Sequence, residues 1–302
     1  MLGLAVNTLL LCVSIAIFFL TDNVWLILLN APILALVYGR FGLLAHDFGH
    51  MQVFKSTRLN DAFGHFCGTI VGLSYPWWKA KHNMHHAHTN HDHMDPDIDI
   101  PVLAYSEEQA LRKKGIARFI VKHQAWFFFP IQLLACFSLR SSSWKYALMV
   151  RDRSNFVLDL FLSGLHAALY LGILFGTQPW WLAILFIVLH QKLWSFYITS
   201  IFAPNHKGMP ILEGETVDFM REQILTARNI KPNMVTDYYY GHLNYQIEHH
   251  LFPTVQRHNM KKARRIVKQF CKEKGIEYYE TSVIRSYIEI LQHMHEVSMY
   301  VK

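Results

Sequence analysis

Three short histidine groups carry the chemistry of this chain: HDFGH at His46 to His50, HNMHH at His82 to His86, and QIEHH at Gln246 to His250. On a helix, residues i and i+4 lie about 40° apart and i, i+3, i+4 fall within about 100°. The spacing therefore predicts that His46/His50, His82/His85/His86 and Gln246/His249/His250 each aim at one point, whereas a strand would send His85 and His86 to opposite faces. One HxxxH pair is compatible with separately satisfied histidines; three groups beside apolar runs are not. With His206 at the end of another apolar run, eight imidazoles are available. A tetrahedral zinc takes about four ligands and a structural one usually includes cysteine, so eight histidines suit two metals, and imidazole suits iron, zinc, copper or nickel. The Glu-x-x-His signature of carboxylate di-iron bundles is absent, since Glu248 sits at the wrong spacing. Asp95, Asp97 and Asp99 do not begin an EF-hand: Pro96 holds the second position, and the required Gly and Glu fall on Ile100 and Ser106. Those aspartates, with Asp47 and Glu248, are candidate acceptors behind the ligating rings.

The elements that must position these residues are apolar. Of 302 residues, 52% are hydrophobic and 17% charged, against roughly 25% charged in soluble domains. Disorder is excluded by the hydrophobicity, and four scattered cysteines give neither a CxxC pair nor a disulfide framework. An uncharged run over 2–20 and apolar runs over 24–45, broken only by Arg40, and over 156–176 and 180–202, which carry Asp159 and Lys192, are long enough to cross a bilayer. The first run has no basic n-region and is followed at once by a second span, so it is not a signal peptide. All 29 Lys and Arg residues lie in 40–153 and 192–302, which places both hairpin turns on one face and the basic side, by the positive-inside rule, in the cytoplasm. Residues 119–139, apolar apart from Lys122 and His123 and containing Pro130, are expected to form an interfacial or re-entrant helix, because a fifth crossing would separate the histidine groups. The expected fold is all-α and integral to the membrane: four transmembrane helices in two hairpins plus interfacial helices and a cytoplasmic helical cap carrying the metal site. It is a single domain over 1–302, with 46–155 cytoplasmic and the cap over 205–302. The formal charge of +7 asks for an acidic partner, and the charge run Lys261, Lys262, Arg264, Arg265, Lys268 is either a solvated helix face or a surface for anionic headgroups.

The ordered set HDFGH, HNMHHAHTN, Asn205-His206 and QIEHHLFP resembles the integral-membrane fatty acid desaturase family, in particular its front-end branch (Δ6/Δ5-like), whose third box begins with glutamine. The resemblance covers Gly42 to Pro253. It implies two non-haem irons on the cytoplasmic side of a bacterial inner membrane or endoplasmic reticulum membrane, held by His46, His50, His82, His85, His86, His206, His249 and His250. Gln246 would be a weak ligand or a water holder. It also implies a fatty acyl lipid or acyl-CoA substrate, O2 as co-substrate, and a cis double bond as product. An unactivated methylene pair offers no acidic proton and no leaving group, so an oxygen-activating metal is the chemistry such a substrate needs. No HPGG haem motif occurs in the sequence, so electrons are expected from an external ferredoxin, cytochrome b5 or flavoprotein reductase. The first span starts at the second residue, where relatives have a cytoplasmic leader, so a truncated or misplaced start is expected.

The other histidines read more plainly. His242, four residues before Gln246, is a further candidate for the site. His88, His91 and His93 fall in a polar loop, His65 sits among interfacial aromatics, and His166 and His190 are expected to serve a hydrogen bond between two spans. A fatty acyl hydroxylase or another membrane di-iron monooxygenase would use nearly the same boxes. A metal transporter would need polar residues through the spans, and Leu2 to Leu20 offers only Asn7, Thr8 and Ser14. A structural scaffold leaves the boxes unexplained, and no nucleic-acid partner is expected.

Overall fold

The computed structural model describes residues 2–149, 156–214 and 217–301. Residues 150–155, with Arg151 and Arg153 of the basic stretch, and residues 215, 216 and 302 of the expected cap lie outside the described residues. In chain order the helices are α1 (Leu2–Leu20), α2 (Val24–Gly49), α3 (Thr57–Val71), α4 (Tyr75–Ala87), α5 (Glu107–Arg112), α6 (Gly115–Lys122), α7 (Gln124–Gln132), α8 (Ala135–Met149), α9 (Phe156–Thr177) and α10 (Trp180–His206). They continue with α11 (Phe219–Leu225), α12 (Met234–Tyr239), α13 (Gln246–Leu251), α14 (Met260–Lys274) and α15 (Val283–Ser298). Two-residue strands β1 (Asn229–Ile230) and β2 (Glu280–Thr281) pair in parallel. The chain divides into two compact units, residues 1–80 with 132–199 and residues 81–131 with 200–302.

In the first unit lie α1, α2, α9 and most of α10, the four helices among the described residues that are long and apolar enough to cross a membrane. The protein is an all-α integral membrane protein. Helix α2 starts where Asn23 accepts from the backbone N–H groups of Trp25 and Leu26, leaving fewer orphan donors at its end. α1 and α9 expose Leu9, Phe19, Phe161 and Leu169, an outer face suited to lipid rather than water. Between α1 and α2, Ser14 Oγ donates to Asn30 Oδ1 at 2.5 Å and Asn30 Nδ2 donates back to the Ser14 carbonyl at 2.8 Å. Such an interhelical bond in lipid contributes about 0.6–2 kcal/mol. At the second hairpin turn Gln178 donates to the Phe18 carbonyl. Gly39 permits close approach of α2 and α10, since a Cβ there would lie 2.2 Å from the Tyr197 ring. The hydrogen bond expected between the later spans is made by His190, whose Nδ1 accepts from Tyr170 Oη at 2.7 Å, while His166 stacks on Tyr170.

The single helix expected over 119–139 is instead parts of three. α6 ends at His123, α7 contains Pro130, and α8 starts at Ala135. His123 leaves helical geometry at φ −121°, and Pro130 withholds an N–H from the following turn. With 8, 9 and 15 residues, the segments reach only about 12–23 Å.

The second unit builds on two apolar clusters. One gathers Ile98, Leu103, Tyr105, Phe128, Ile290 and Met294; the other gathers Ile224, Ala227, Ile247, Val267 and Cys271. Its loops are tied by buried polar side chains. Asn90, in the left-handed region at φ 55° that asparagine tolerates, donates to the carbonyls of His206, Pro210 and Thr226. Arg228, 1% exposed, donates to the carbonyls of Pro204 and Lys207 at the end of α10 and pairs with Glu289 at 2.9 Å.

Candidate metal centre

The C-terminal parts of α4 and α10, with α13, present the imidazoles in the second unit. α4 begins where Ser74 Oγ accepts from the Trp77 N–H, and Pro76 occupies its first turn, where a missing N–H is harmless. α10 ends on His206, secured by Asn205, which donates to the Ile201 and Leu243 carbonyls. α13 has only six residues, too few to stand alone. Asn229 on β1 holds it: its Oδ1 accepts from the Ile247 N–H at 2.9 Å and its Nδ2 donates to Glu248 at 2.7 Å.

His85, His206 and His250 form one group, their ligand atoms within 4.8 Å of one another. Each ring is fixed from behind through Nδ1. His85 Nδ1 lies 2.9 and 3.0 Å from the two oxygens of Asp95. His206 Nδ1 meets the Thr226 carbonyl at 3.2 Å, and His250 Nδ1 meets Gln223 Oε1 at 2.8 Å with Thr89 Oγ1 at 3.0 Å. A carboxylate or carbonyl oxygen cannot donate, so each Nδ1 carries the proton and each Nε2 keeps its lone pair. His250 Nε2 is buried with no hydrogen-bond partner, a cost that a cation would remove. Burial, then the neighbouring histidines, holds the His250 pKa well below its usual value, so the ring is neutral, as a ligand must be. Burial pushes Asp95 up, but the His85 ring, Lys207 and the Asn90 N–H outweigh it and its pKa is lowered. A buried, ionised acceptor therefore faces His85.

His82, His86 and His249 form the second group. His86 Nε2 lies 3.1 Å from His82 Nε2 and 3.1 Å from His249 Nε2. Nitrogens sharing one metal at bonds of about 2.1 Å stand roughly 3.0–3.4 Å apart. The donor set, all imidazole and without thiolate, fits iron or another borderline metal, and both groups accommodate such an ion. The expectation that a box converges on one point is thus corrected for the second and third boxes, because His82 and His86 serve one group and His85 the other, and α13 splits His249 from His250 in the same way. Successive residues on a helix diverge by about 100°, which suits two centres better than one.

His46 and His50 lie in the first unit, at the end of α2, with ring centroids 4.6 Å apart. Asp47 stands beside them, its Oδ1 3.7 Å from His46 Nδ1. Gln246 turns its amide nitrogen to His206 Nε2 at 2.8 Å, while its oxygen accepts from Asn205 at 2.9 Å. It therefore presents a donor, suited to an oxygen atom or water rather than to a metal. Glu248, expected behind a ring, gives both oxygens to Asn229 and Tyr278 and positions α13 instead. His242 does not precede Gln246 by a helical turn, because α13 starts at Gln246 and His242 sits at φ 68°; it belongs to neither histidine group. Of the aspartate run, Asp95 backs His85, Asp97 pairs with Lys81, and Asp99 is exposed. His93 joins Glu108 at 3.1 Å, with Arg112 against its other nitrogen. Thr89, Gln223 and the Thr226 carbonyl were not foreseen. Thr89 could have been suspected from the TN pair closing the second box, whereas nothing in the sequence around Gln223 marks it.

Residues 23–282 match the family model for fatty acid desaturase, and the chain belongs to that family. An acyl-lipid (9-3)-desaturase of Physcomitrium patens is 32% identical, covering 98% of this chain and 58% of its own length. A Delta(6)-fatty-acid desaturase of Caenorhabditis elegans is 32% identical over 90% of this chain and 65% of its own length, and a Delta(8)-fatty-acid desaturase of Euglena gracilis 32% over 86% and 65%. The chain thus spans about three-fifths of the length of these relatives.

Proposed function

We propose that the protein is an O2-dependent fatty acyl desaturase holding two non-haem irons. The observation that carries this reading is the triad His85, His206, His250, each ring tied through Nδ1 to an oxygen acceptor and turning Nε2 inward. His82, His86 and His249 hold the second iron, and the family resemblance adds His46 and His50 to the ligands. When bound, the metals supply O2-dependent removal of two hydrogens from a CH2–CH2 pair, with two electrons and two protons from outside and two waters formed. The chain's own residues do the rest. Asp95, Gln223, Thr89 and the Thr226 carbonyl hold the Nδ1 protons so that the ligating nitrogens stay unprotonated. The Gln246 amide N–H group, beside His206 Nε2, holds a water or an oxygen atom. Electrons come from an external ferredoxin, cytochrome b5 or flavoprotein reductase.

The substrate is a long acyl chain on lipid or coenzyme A, and the new double bond enters between an existing one and the carboxyl end. That regiochemistry is supported by Gln246 opening the third box and by the Delta(6) and Delta(8) names of two relatives. The site faces the cytoplasm, on the strength of the charge partition. Expression in a host of known lipid composition, with linoleate or stearate fed separately and products read by mass spectrometry, tests the reaction. A Δ6 or Δ5 product from linoleate supports the front-end reading; Δ9 desaturation of stearate overturns the position and keeps the reaction; an oxygenated acyl chain overturns desaturation. Impermeant thiol labelling of single cysteines in intact cells should mark position 178 and spare 259, and the reverse would refute the orientation.

A further inference from the structure

Helix α14 concentrates the charge of the protein. Over 15 residues it carries Lys261, Lys262, Arg264, Arg265, Lys268, Lys272 and Lys274 against one acid, Glu273, a net +6 in a chain whose formal total is +7. This placement works against the helix. Four of the cations stand in the first two turns, where the helix dipole favours anions, and Lys261/Arg265, Arg264/Lys268 and Lys268/Lys272 are like charges one turn apart. Arg264 is compensated by a two-pronged pair with Glu280 at 2.6 and 2.7 Å. Lys261, Arg265 and Lys272 are exposed and form no ion pair with any acid among the described residues.

The cations also border a concavity. A groove of about 560 Å³ is lined by Arg264, Arg265, Lys268, Lys272, Ile276 and Tyr278. Tyr278 lies beneath Lys268, whose ammonium is 5.6 Å from its ring, and its hydroxyl donates to Glu248 at 2.8 Å. Glu248 is the residue immediately before His249 and His250. One aromatic ring and one carboxylate thus join the cationic groove to the helix that presents two candidate ligands.

We propose that the α14 groove is the docking surface for an acidic one-electron donor protein, which delivers its electrons beside Tyr278. The proposal rests on the external-donor part of the reading above. A concave, cation-lined groove receives protruding Asp and Glu side chains, and charge complementarity steers such encounters; a flat anionic bilayer would reach the rim but not Tyr278. In each encounter the reduced donor loses one electron and the metal site gains one, so a turnover takes two encounters.

The test uses the metal-loaded full chain in discs of neutral lipid, with two probes, the soluble acidic haem domain of a cytochrome b5 and an acidic [2Fe–2S] ferredoxin. The variant reverses Lys261→Glu, Arg265→Glu and Lys272→Glu, three exposed positions whose change leaves the Arg264–Glu280 pair intact. Binding of at least one probe to the wild type should weaken by about tenfold or more between about 20 mM and about 200 mM salt, and the variant should bind at least tenfold more weakly than wild type at low salt. Reduction of the bound metal by dithionite, and metal content, should be equal in both proteins. Equal probe binding by wild type and the triple variant, or binding indifferent to salt, overturns the proposal. So does a variant that loses only its affinity for anionic vesicles. Product formed with chemical reductant reads the desaturase assignment separately: its absence sinks that assignment while the binding result still decides the docking surface.

Discussion

Both units bury several imidazoles, and His190 in the first is put to a different use from His85, His206 and His250 in the second. In the first, His190 Nδ1 accepts from the Tyr170 hydroxyl and the Gln191 amide, and Gln191 Oε1 accepts in turn from Arg140. A ring used in this way ties one span to the next. In the second, the outer nitrogens of His85, His206 and His250 all meet acceptors, and the inner nitrogens face one another within 4.8 Å. Burial alone therefore does not distinguish a ligand from a helix fastener. The distinction lies in which partner the ring has behind it: a donor hydroxyl or amide leaves the remaining nitrogen as N–H, whereas an acceptor leaves it as a lone pair.

That difference breaks most sharply under alanine substitution. His85→Ala or His250→Ala should lower metal content by at least one ion per chain and reduce desaturation by about 100-fold or more, measured by elemental analysis and product yield. His190→Phe should leave metal content at the wild-type value. Loss of metal in the His190 variant, or its retention in both others, would erase the contrast. A smaller effect is expected one bond further out. Asp95→Asn keeps an oxygen acceptor for His85 Nδ1 but removes its charge, so metal affinity should fall by ~10–100-fold in a chelator competition. Gln223→Ala should cost no more than about tenfold, because Thr89 Oγ1 remains 3.0 Å from His250 Nδ1. An effect of Gln223→Ala exceeding that of Asp95→Asn would reverse the order of importance assigned to charge and to neutral acceptors.

The spans were legible because bilayer thickness converts directly into apolar length: the runs from 2–20 and 156–176 reappear as α1 and α9 almost residue for residue. The histidine boxes were legible because their spacing is local. What lay beyond reach was the division of each box between two groups, although the 100° step between His85 and His86 contained it. The acceptors behind the rings were hidden for a different reason. Asp95 stands ten residues from His85, but Gln223 lies 27 residues from His250 and the Thr226 acceptor is a backbone carbonyl, which any residue type would supply. Glu248 misled through proximity: the neighbour of two candidate ligands in sequence points a third way around the helix, to Asn229 and Tyr278.

The smallest expected effect tests the fastening role in the first unit. Tyr170→Phe removes the hydroxyl that donates to His190 Nδ1 at 2.7 Å and leaves ring volume nearly unchanged, so no cavity contributes. The Gln191 amide still donates to the same nitrogen at 3.1 Å, and the buried acceptor is not orphaned. The loss is then the Tyr170–His190 bond and the longer one that Tyr170 Oη accepts from Gln191 Nε2 at 3.3 Å, each about 0.6 kcal/mol and at most about 2 kcal/mol, seen as a fall of a few degrees in the midpoint of thermal unfolding in neutral-lipid discs. Metal content and product yield per folded protein should not change. A fall in metal content would mean that the intramembrane histidine is coupled to the ligand groups after all, and the separation between a ring that fastens helices and a ring that binds metal would have to be abandoned.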